Sequence, residues 1–552
     1  MTAICIVDNS EPQMSNSHPV NENHTSGEHQ TFWLETESQP NYSPLRENLS
    51  ADVVIVGGGL GGVSVAYCLS KAGKKVVLVE DGMIASGETG RTTAHLVSAL
   101  DDRWADLEFI FGEEDTKLIA DSHKAAIDFI ERTIQEEKIN CDFERLDGYL
   151  FLHPSDKPKS LEKEFEAAQR AGMTVSQVDT IPGLQNHAGP GLKFSSQGQF
   201  HPLKYVRGLC EAIERNGGRI FTQTHAQEID HTGITTSEGF RVDAEHIVVA
   251  TNTPVNNTLA MHLKQVSHRT YVIAGLVKKY ALPKALWWDT GNYDEDYAHP
   301  PYHYIRLHPY NDQYDILISG GEDHPTGDID GNGIPEEGRY VKLEEWTREH
   351  FPIEKIIYRW SGQVVEPVDS LGFIGRNPWD KDNVYIITGD SGTGMTHCTI
   401  GGMLISDLIL NKPNPWEEIY RPARITFKTG DVFFKELIRG IMGLLKGAPE
   451  DDKVKELAEI RPGEAKVLTL NGHRCGAYRD DQGQYQIVSA RCTHLKSILN
   501  WNADEKTWDC PWHGSRFTCE GHVINGPANR DLPVFEESKE YADSNEDFRD
   551  IK

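Results

Sequence analysis

The stretch "ADVVIVGGGLGGVSVAYCLSKAGKKVVLVE", residues 51–80, leaves its chain few ways to fold. Asp52–Val56 is an apolar run of β character, followed by glycines, a helix-like segment to Ala72, and a second apolar run, Val76–Val79, ending on Glu80. Two such runs joined through a helix open a doubly wound α/β domain. Gly57, Gly59 and Gly62 form G-x-G-x-x-G between the first strand and the helix. The first glycine permits the tight turn, the second lets a pyrophosphate approach the backbone, and the third lets helix and strand pack closely. The helix N-terminus offers amide donors to the phosphates. Glu80, 18 residues beyond Gly62, is placed to accept hydrogen bonds from ribose hydroxyls. The pattern predicts a dinucleotide cradle and leaves FAD and NAD both open.

A second constellation lies far downstream: Cys492-x-His494, then Cys510-x-x-His513. Two thiolates and two imidazoles can hold a tetrahedral zinc ion. They can equally hold a [2Fe–2S] cluster, with the sulfurs on one iron and the ring nitrogens on the other. The surrounding short β-like runs with Gly- and Asn-rich turns predict a small all-β domain.

A chain of 552 residues holds more than one domain. Its formal net charge of −29 argues against nucleic acid as a partner and disfavours anionic lipid. No apolar run approaches the roughly 20 residues that a membrane span needs, so no transmembrane segment is expected. The opening "MTAICIVDNSEPQ" lacks the basic and apolar regions of a signal peptide. Nine scattered cysteines do not form a disulfide framework, so the expected location is cytoplasmic.

Composition shifts divide the chain into a polar, disordered tail over 1–31, an oxidoreductase unit over 32–425, a helical connector over 426–459, the β domain over 460–540 and an acidic tail over 541–552. "FWLETESQPNYSPL" (32–45) reads as an extended lead-in and "VFFKELIRGIMGLLKG" (432–447) as a packing helix. Further elements are a helix around 115–137, a strand at 148–152 and strand-rich runs at 268–278 and 302–320.

Three stretches carry a resemblance. "SGETGRTTAHL" (86–96), "IVVATN" (247–252) and "NVYIITGDSGTGMTHCTIGGMLISDLI" (383–409) resemble the glycine/D-amino-acid oxidase (DAO) superfamily of FAD-dependent oxidoreductases, over about residues 33–425. The resemblance implies an α/β (α+β) flavoprotein: a Rossmann-like FAD-binding domain interleaved with an antiparallel-sheet substrate domain. It implies flavin contacts at Arg91, Thr92, Gly389, Gly392, Gly394 and Met395. It also sets the N-terminus of the helix that ends the 383–409 stretch against the flavin, where its partial positive charge would stabilise the reduced ring. "CTHL" and "CPWHGSRF", followed by "GHVINGPANRDL", resemble the two loops of Rieske [2Fe–2S] domains, which implies Cys492, His494, Cys510 and His513 as cluster ligands. Rieske proteins of respiratory quinol-oxidising complexes join their loops by a disulfide, where this chain has Ser497 and Trp512. A tyrosine that donates to a ligand sulfur in them is replaced by Phe517, while Ser515 remains. Fewer donors to sulfur imply the lower part of the Rieske potential range.

His95, in "TTAH", falls in a loop expected near the flavin. In dimethylglycine dehydrogenase relatives a histidine in similar context is bonded covalently to the flavin, and the alternative is a hydrogen-bonding histidine. By the same resemblance Arg306, in "YHYIRL", would grip a substrate carboxylate through a bidentate pair, with Tyr304 lining the pocket. A second arginine that the family carries after W-x-G is missing, since "WSGQVVEP" has Gln363 and Val364, which counts against an α-amino-acid substrate. The expected activity is oxidation of a small molecule at a C–N bond by hydride transfer to FAD. Electrons would then leave singly through the cluster to an external acceptor protein. The alternatives are a reductase or oxygenase component fed by a donor protein, and a redox sensor that is not an enzyme.

Overall fold

The structure is a computed structural model that describes residues 5–6, 29–185, 189–256, 261–294, 300–327, 337–426, 428, 457–470 and 472–536. The acidic tail over 541–552, most of the connector over 426–459 with its expected packing helix, and most of the tail over 1–31 lie outside the described residues.

The G-x-G-x-x-G segment folds as strand Leu49–Val56, helix Leu60–Lys71 and strand Val76–Val79. The strands pair in parallel inside an eight-stranded sheet. Along it, Phe373–Arg376, Val384–Thr388, Arg241–Val249, Leu49–Val56, Val76–Val79 and Arg219–Phe221 lie side by side, all parallel except the first pair. Val53, Val54 and Ile55 are wholly buried, as expected of a strand covered on both faces. Gly57 has φ +109°, and a Cβ on Gly62 would lie 1.9 Å from the Gly57 carbonyl oxygen, so the turn admits no side chain at either position.

A nine-stranded, mostly antiparallel sheet forms the second layer. Its order is Lys355–Pro367, Gln265–Lys278, Tyr314–Pro325, Tyr304–Pro309, Leu286–Asp289, Glu144–Phe151, Gly191–Gln199 and His95–Leu96. The chain passes between the two sheets repeatedly, which gives the interleaved architecture expected from the sequence.

The strand-rich run 302–320 is a hairpin of Tyr304–Pro309 with Tyr314–Pro325, where Asn311 Oδ1 accepts from Gln313 N (2.9 Å) and Tyr314 N (2.8 Å) and turns the chain. One local expectation changes. The lead-in is not extended at its start: Phe32–Thr36 is a helix capped by Thr31, whose side chain accepts from Leu34 N. Trp33 is wholly buried there and donates its indole N–H to Thr92 O at 2.6 Å, tying the lead-in to the loop that follows the cradle.

The C-terminal β module holds a three-stranded and a four-stranded antiparallel sheet around Trp508, Phe517 and Leu499. It docks on the oxidoreductase unit through buried charge. Glu505, 1% exposed, projects into a site that also holds Arg91, Arg269 and Arg516, themselves 0–3% exposed. Its Oε1 accepts from Tyr340 at 3.1 Å and from the Ser361 hydroxyl, which in turn accepts from Arg269. Burial alone would push the Glu505 carboxyl up, but Arg269, Arg91 and Arg516 outweigh it and hold the group below the usual carboxylate range. A depressed carboxyl contributes stability that is present at neutral pH and lost as pH falls through its folded value. Removing this charge leaves buried guanidinium groups without a full complement of carboxylates. Glu505→Gln is therefore expected to destabilise the junction by about 3 kcal/mol, read as a lower thermal midpoint of the visible circular dichroism; an unchanged midpoint contradicts the account.

Candidate active site and cluster site

Between the two sheets lies a cavity of about 1700 Å³. This exceeds the roughly 300–1,000 Å³ of ordinary small-molecule pockets and leaves room for a cofactor and a substrate together. Of the residues singled out in the sequence, Gly57, Gly59, Glu80, Arg91, Thr92, His95, Tyr304, Gly389, Gly392, Gly394 and Met395 line it. Gly62 stands behind the lining in the cradle turn. Helix Gly394–Ile409 opens onto the cavity at its N-terminus. Glu80 accepts from the amides of Gly58 and of Gly82 (2.9 Å), and burial pushes its carboxyl up to about 7. Each carboxylate oxygen keeps a second lone pair for a ribose hydroxyl.

The structure does not bring Arg306 to the cavity as a carboxylate clamp. Its Nη1 donates to Thr93 O (3.1 Å), Ala94 O (2.7 Å) and Phe200 O (3.1 Å), and its Nη2 donates to His308 Nδ1 (3.0 Å). With its guanidinium stacked over Trp33 at 5.3 Å, Arg306 braces the 93–95 loop from behind. The reason is burial: a fully buried guanidinium must spend its donors within the protein.

His95 is held at both ring nitrogens. Nε2 lies 3.1 Å from Ile305 O, which can only accept, so Nε2 carries the proton and Nδ1 accepts from the Thr93 hydroxyl at 3.0 Å. Burial, then the charge of Arg306, lowers its pKa to about 3, so the ring stays neutral. A covalent bond to flavin would break one of these hydrogen bonds, which favours the hydrogen-bonding alternative.

Beside Tyr304 the cavity is acidic. The Tyr304 hydroxyl bonds to Thr270 Oγ1, which also reaches Asp323. The Tyr302 hydroxyl donates to Asp101. Burial pushes Asp101 and Asp323 each up to about 7. Glu366 is raised well above the carboxylate range by burial and by the charge of Asp102, to which the Ser391 hydroxyl links it. Sequence reasoning missed these carboxylates, because Asp101, Asp323 and Glu366 come from separate segments with no shared motif.

The cavity suits FAD. A Cβ at Gly57 would fill the cradle, lying 2.4 Å from Ala250 O. The donor Arg91 Nε, buried and lining the cavity, finds no hydrogen-bond partner within the chain, and neither do the acceptors Gln363 Oε1, Asp323 Oδ1 and His397 Nε2, whose neutral ring gives its N–H to the Thr388 backbone. These are the complementary donors and acceptors that a polar ring system needs.

The four Cys and His residues come together in two loops of matching backbone. Cys492 N donates to Ser497 O (2.9 Å) and Cys510 N to Ser515 O (2.8 Å), while Lys496 N and Gly514 N close each loop back on its cysteine carbonyl. The two thiols are hydrogen-bonded to each other, and the rings of His494 and His513 lie 5.1 Å apart. Both ring nitrogens of His513, 5% exposed, lack a hydrogen-bond partner. Sulfurs on one side and imidazoles on the other fit a two-iron cluster. Where the clamped Rieske proteins carry cysteines, Ser497 is buried and Trp512 stacks on the His513 ring at 4.4 Å. The Ser515 hydroxyl reaches the Cys492 sulfur.

A dinucleotide cradle opening onto an interleaved second sheet, with a two-loop Cys/His site docked beside it, defines an FAD-dependent oxidoreductase joined to an iron–sulfur module. The chain belongs to the FAD dependent oxidoreductase (DAO) family, whose pattern it matches over residues 52–408, and it carries a Rieske [2Fe-2S] domain over residues 451–536. The first domain binds FAD and the second a [2Fe–2S] cluster. YhfW of Bacillus subtilis (strain 168), named as a Rieske 2Fe-2S iron-sulfur protein, is 31% identical over 91% of this chain and 97% of its own length. Gamma-glutamylputrescine oxidoreductase of Escherichia coli (strain K12) is 26% identical over 67% of this chain and 85% of its own. The fold resembles glycine oxidase from Geobacillus kaustophilus with TM-score 0.56 and 17% identity, over 68% of this chain and all of that one.

Two measurements test the residue assignments. Cys510→Ser is expected to lose most of its iron, and full iron content in that variant would refute the ligand set. Acid precipitation is expected to leave the flavin in a yellow supernatant; colour retained in the pellet would point to a covalent bond at His95.

Proposed function

We propose that the protein oxidises a small cationic amine at a C–N bond and passes the electrons one at a time to an external acceptor protein, in the cytoplasm. When bound, FAD supplies a two-electron acceptor and the cluster a one-electron carrier. The observation that carries the substrate class is the acidic wall beside Tyr304: Asp101, Asp323 and Glu366 line the cavity there, and Arg306 is committed to backbone carbonyls. An ammonium group finds countercharge in the ionised forms of Asp101 and Asp323, whereas a substrate carboxylate would meet repulsion from them; Glu366, raised well above the carboxylate range, adds polarity rather than charge. Amine oxidation also needs the ammonium proton removed. Asp101 and Asp323, raised to about 7, suit a group that takes a proton near neutral pH. Thr270 and Tyr304 then orient Asp323, and neutral His95 fixes the loop that frames the site.

The junction supports transfer between the two centres. Gln363, which lines the cavity, donates its side-chain amide to Gly514 O at 3.0 Å, one residue beyond His513. The Ser267 hydroxyl donates to His513 O at 3.3 Å. The His262 ring, from the oxidoreductase domain, packs against His494 at 5.1 Å and His513 at 5.7 Å. The imidazole side of the cluster site thus faces the flavoprotein domain. A Cβ on Gly514 would lie 2.3 Å from Ser267 Cβ, so the approach leaves no space to spare.

Anaerobic mixing with amines, N-methyl compounds and amino acids tests the reading. Amines are expected to bleach the flavin and then the cluster, while α-amino acids leave both coloured. Bleaching only by NAD(P)H with an added reductase would reverse the direction of flow. The bleaching rate is expected to rise from about pH 6 to about pH 8 as Asp101 and Asp323 lose their protons. Asp323→Asn should lower the rate by at least about tenfold, within the usual 10²–10⁴-fold range for a proton-transfer group, and flatten that rise.

A further inference from the structure

The nucleotide end of the cavity is built by both domains. Residues 518–531 of the Rieske domain, among them His522, Asn525 and Arg530, line the same cavity as Gly57, Glu80 and Thr224. The closure is made by a specific clasp. Asn525 Nδ2 donates to Glu88 Oε1 at 3.0 Å, and Glu88 Oε2 accepts from Gln363 N at 2.6 Å. Glu88 opens the short turn Glu88–Gly90, whose Thr89 hydroxyl accepts from Leu60 N, the first residue of the cradle helix. One carboxylate therefore ties the cradle loop, the long strand Lys355–Pro367 and the Rieske strand Val523–Asn525 together. Asn525 is itself positioned by Arg516, whose Nη1 donates to its Oδ1 at 3.2 Å.

Charge points the same way. FAD brings a pyrophosphate into a lining that already contains Glu80, Asp81, Glu520 and Asp531. The lysine and arginine side chains of that lining are Arg91, from the oxidoreductase domain, and Arg530, from the Rieske domain. A dianion in so acidic a cavity needs the cations that are there.

We propose that the Rieske domain is a structural part of the FAD site: Asn525 and Arg530 close its nucleotide end, so FAD affinity depends on the docked domain and docking depends on FAD. The two effects are equal by linkage. The proposal concerns FAD retention and is independent of the substrate class or the direction of electron flow.

The test uses the full chain, stripped of FAD and titrated back with it. Arg530→Ala and Asn525→Ala are first compared with the wild type for iron content and for the Rieske electron paramagnetic resonance spectrum, which report a folded domain. The FAD Kd, followed by quenching of flavin fluorescence, is expected to rise about tenfold in each variant, the loss of one charge-assisted or buried hydrogen bond. In the wild type, adding FAD to the stripped protein is expected to slow amide hydrogen exchange in peptides covering 518–531. Wild-type Kd in iron-replete Arg530→Ala and Asn525→Ala would overturn the proposal. So would exchange in 518–531 that ignores FAD, a result that needs no variant.

Discussion

The structure turns on the burial of Glu505 among Arg91, Arg269 and Arg516. Three guanidinium groups buried this close together need countercharge, and Glu88, Asp509 and Glu505 supply it from both domains. Neither domain can satisfy the set alone. This shared charge joins the Rieske domain to the strands Gln265–Lys278 and Lys355–Pro367 through Arg269, Ser361 and Glu505. In that placement Gln363 and Ser267 meet the His513–Gly514 backbone.

Arg306 and Gln363 exchange the roles that a sequence comparison assigns to them. An arginine on a pocket strand suggests a clamp for a substrate carboxylate, but here its donors are taken by the carbonyls of Thr93, Ala94 and Phe200. It shapes the site by holding the loop of His95. Gln363 stands where the family has an arginine and reads as a loss. In three dimensions it is a neutral side chain with an amide, able to reach the cluster loop without adding charge beside Arg269. Neither residue turns a cation toward the acidic wall of Asp101, Asp323 and Glu366.

How much was legible in advance depends on how local the cause is. The cradle glycines, Glu80 and the four Cys and His positions were readable because their geometry is set within short contiguous segments. A positive-φ turn, a helix start or a closed loop of a few residues imposes its requirement on neighbouring residues. The strand-rich character of 302–320 was legible, while the turn at Asn311 that splits it into a hairpin is set by that side chain's bonds to Gln313 N and Tyr314 N. The helix Phe32–Thr36 was missed because Trp33 is held by a distant carbonyl, that of Thr92. The acidic wall and His262 carry no motif at all.

The sequence by itself determined, through spacing along the backbone, that the chain holds a dinucleotide cradle and a Cys/His centre; its resemblance to known families implied FAD, the [2Fe–2S] cluster and the interleaved fold. Only the tertiary structure decided that the two centres share walls. Asn525 and Glu88 are 437 positions apart, and Ser361 and Glu505 are 144 apart. No local propensity links such residues; they meet because buried charges and buried polar atoms must find partners, and the partners lie on the other domain.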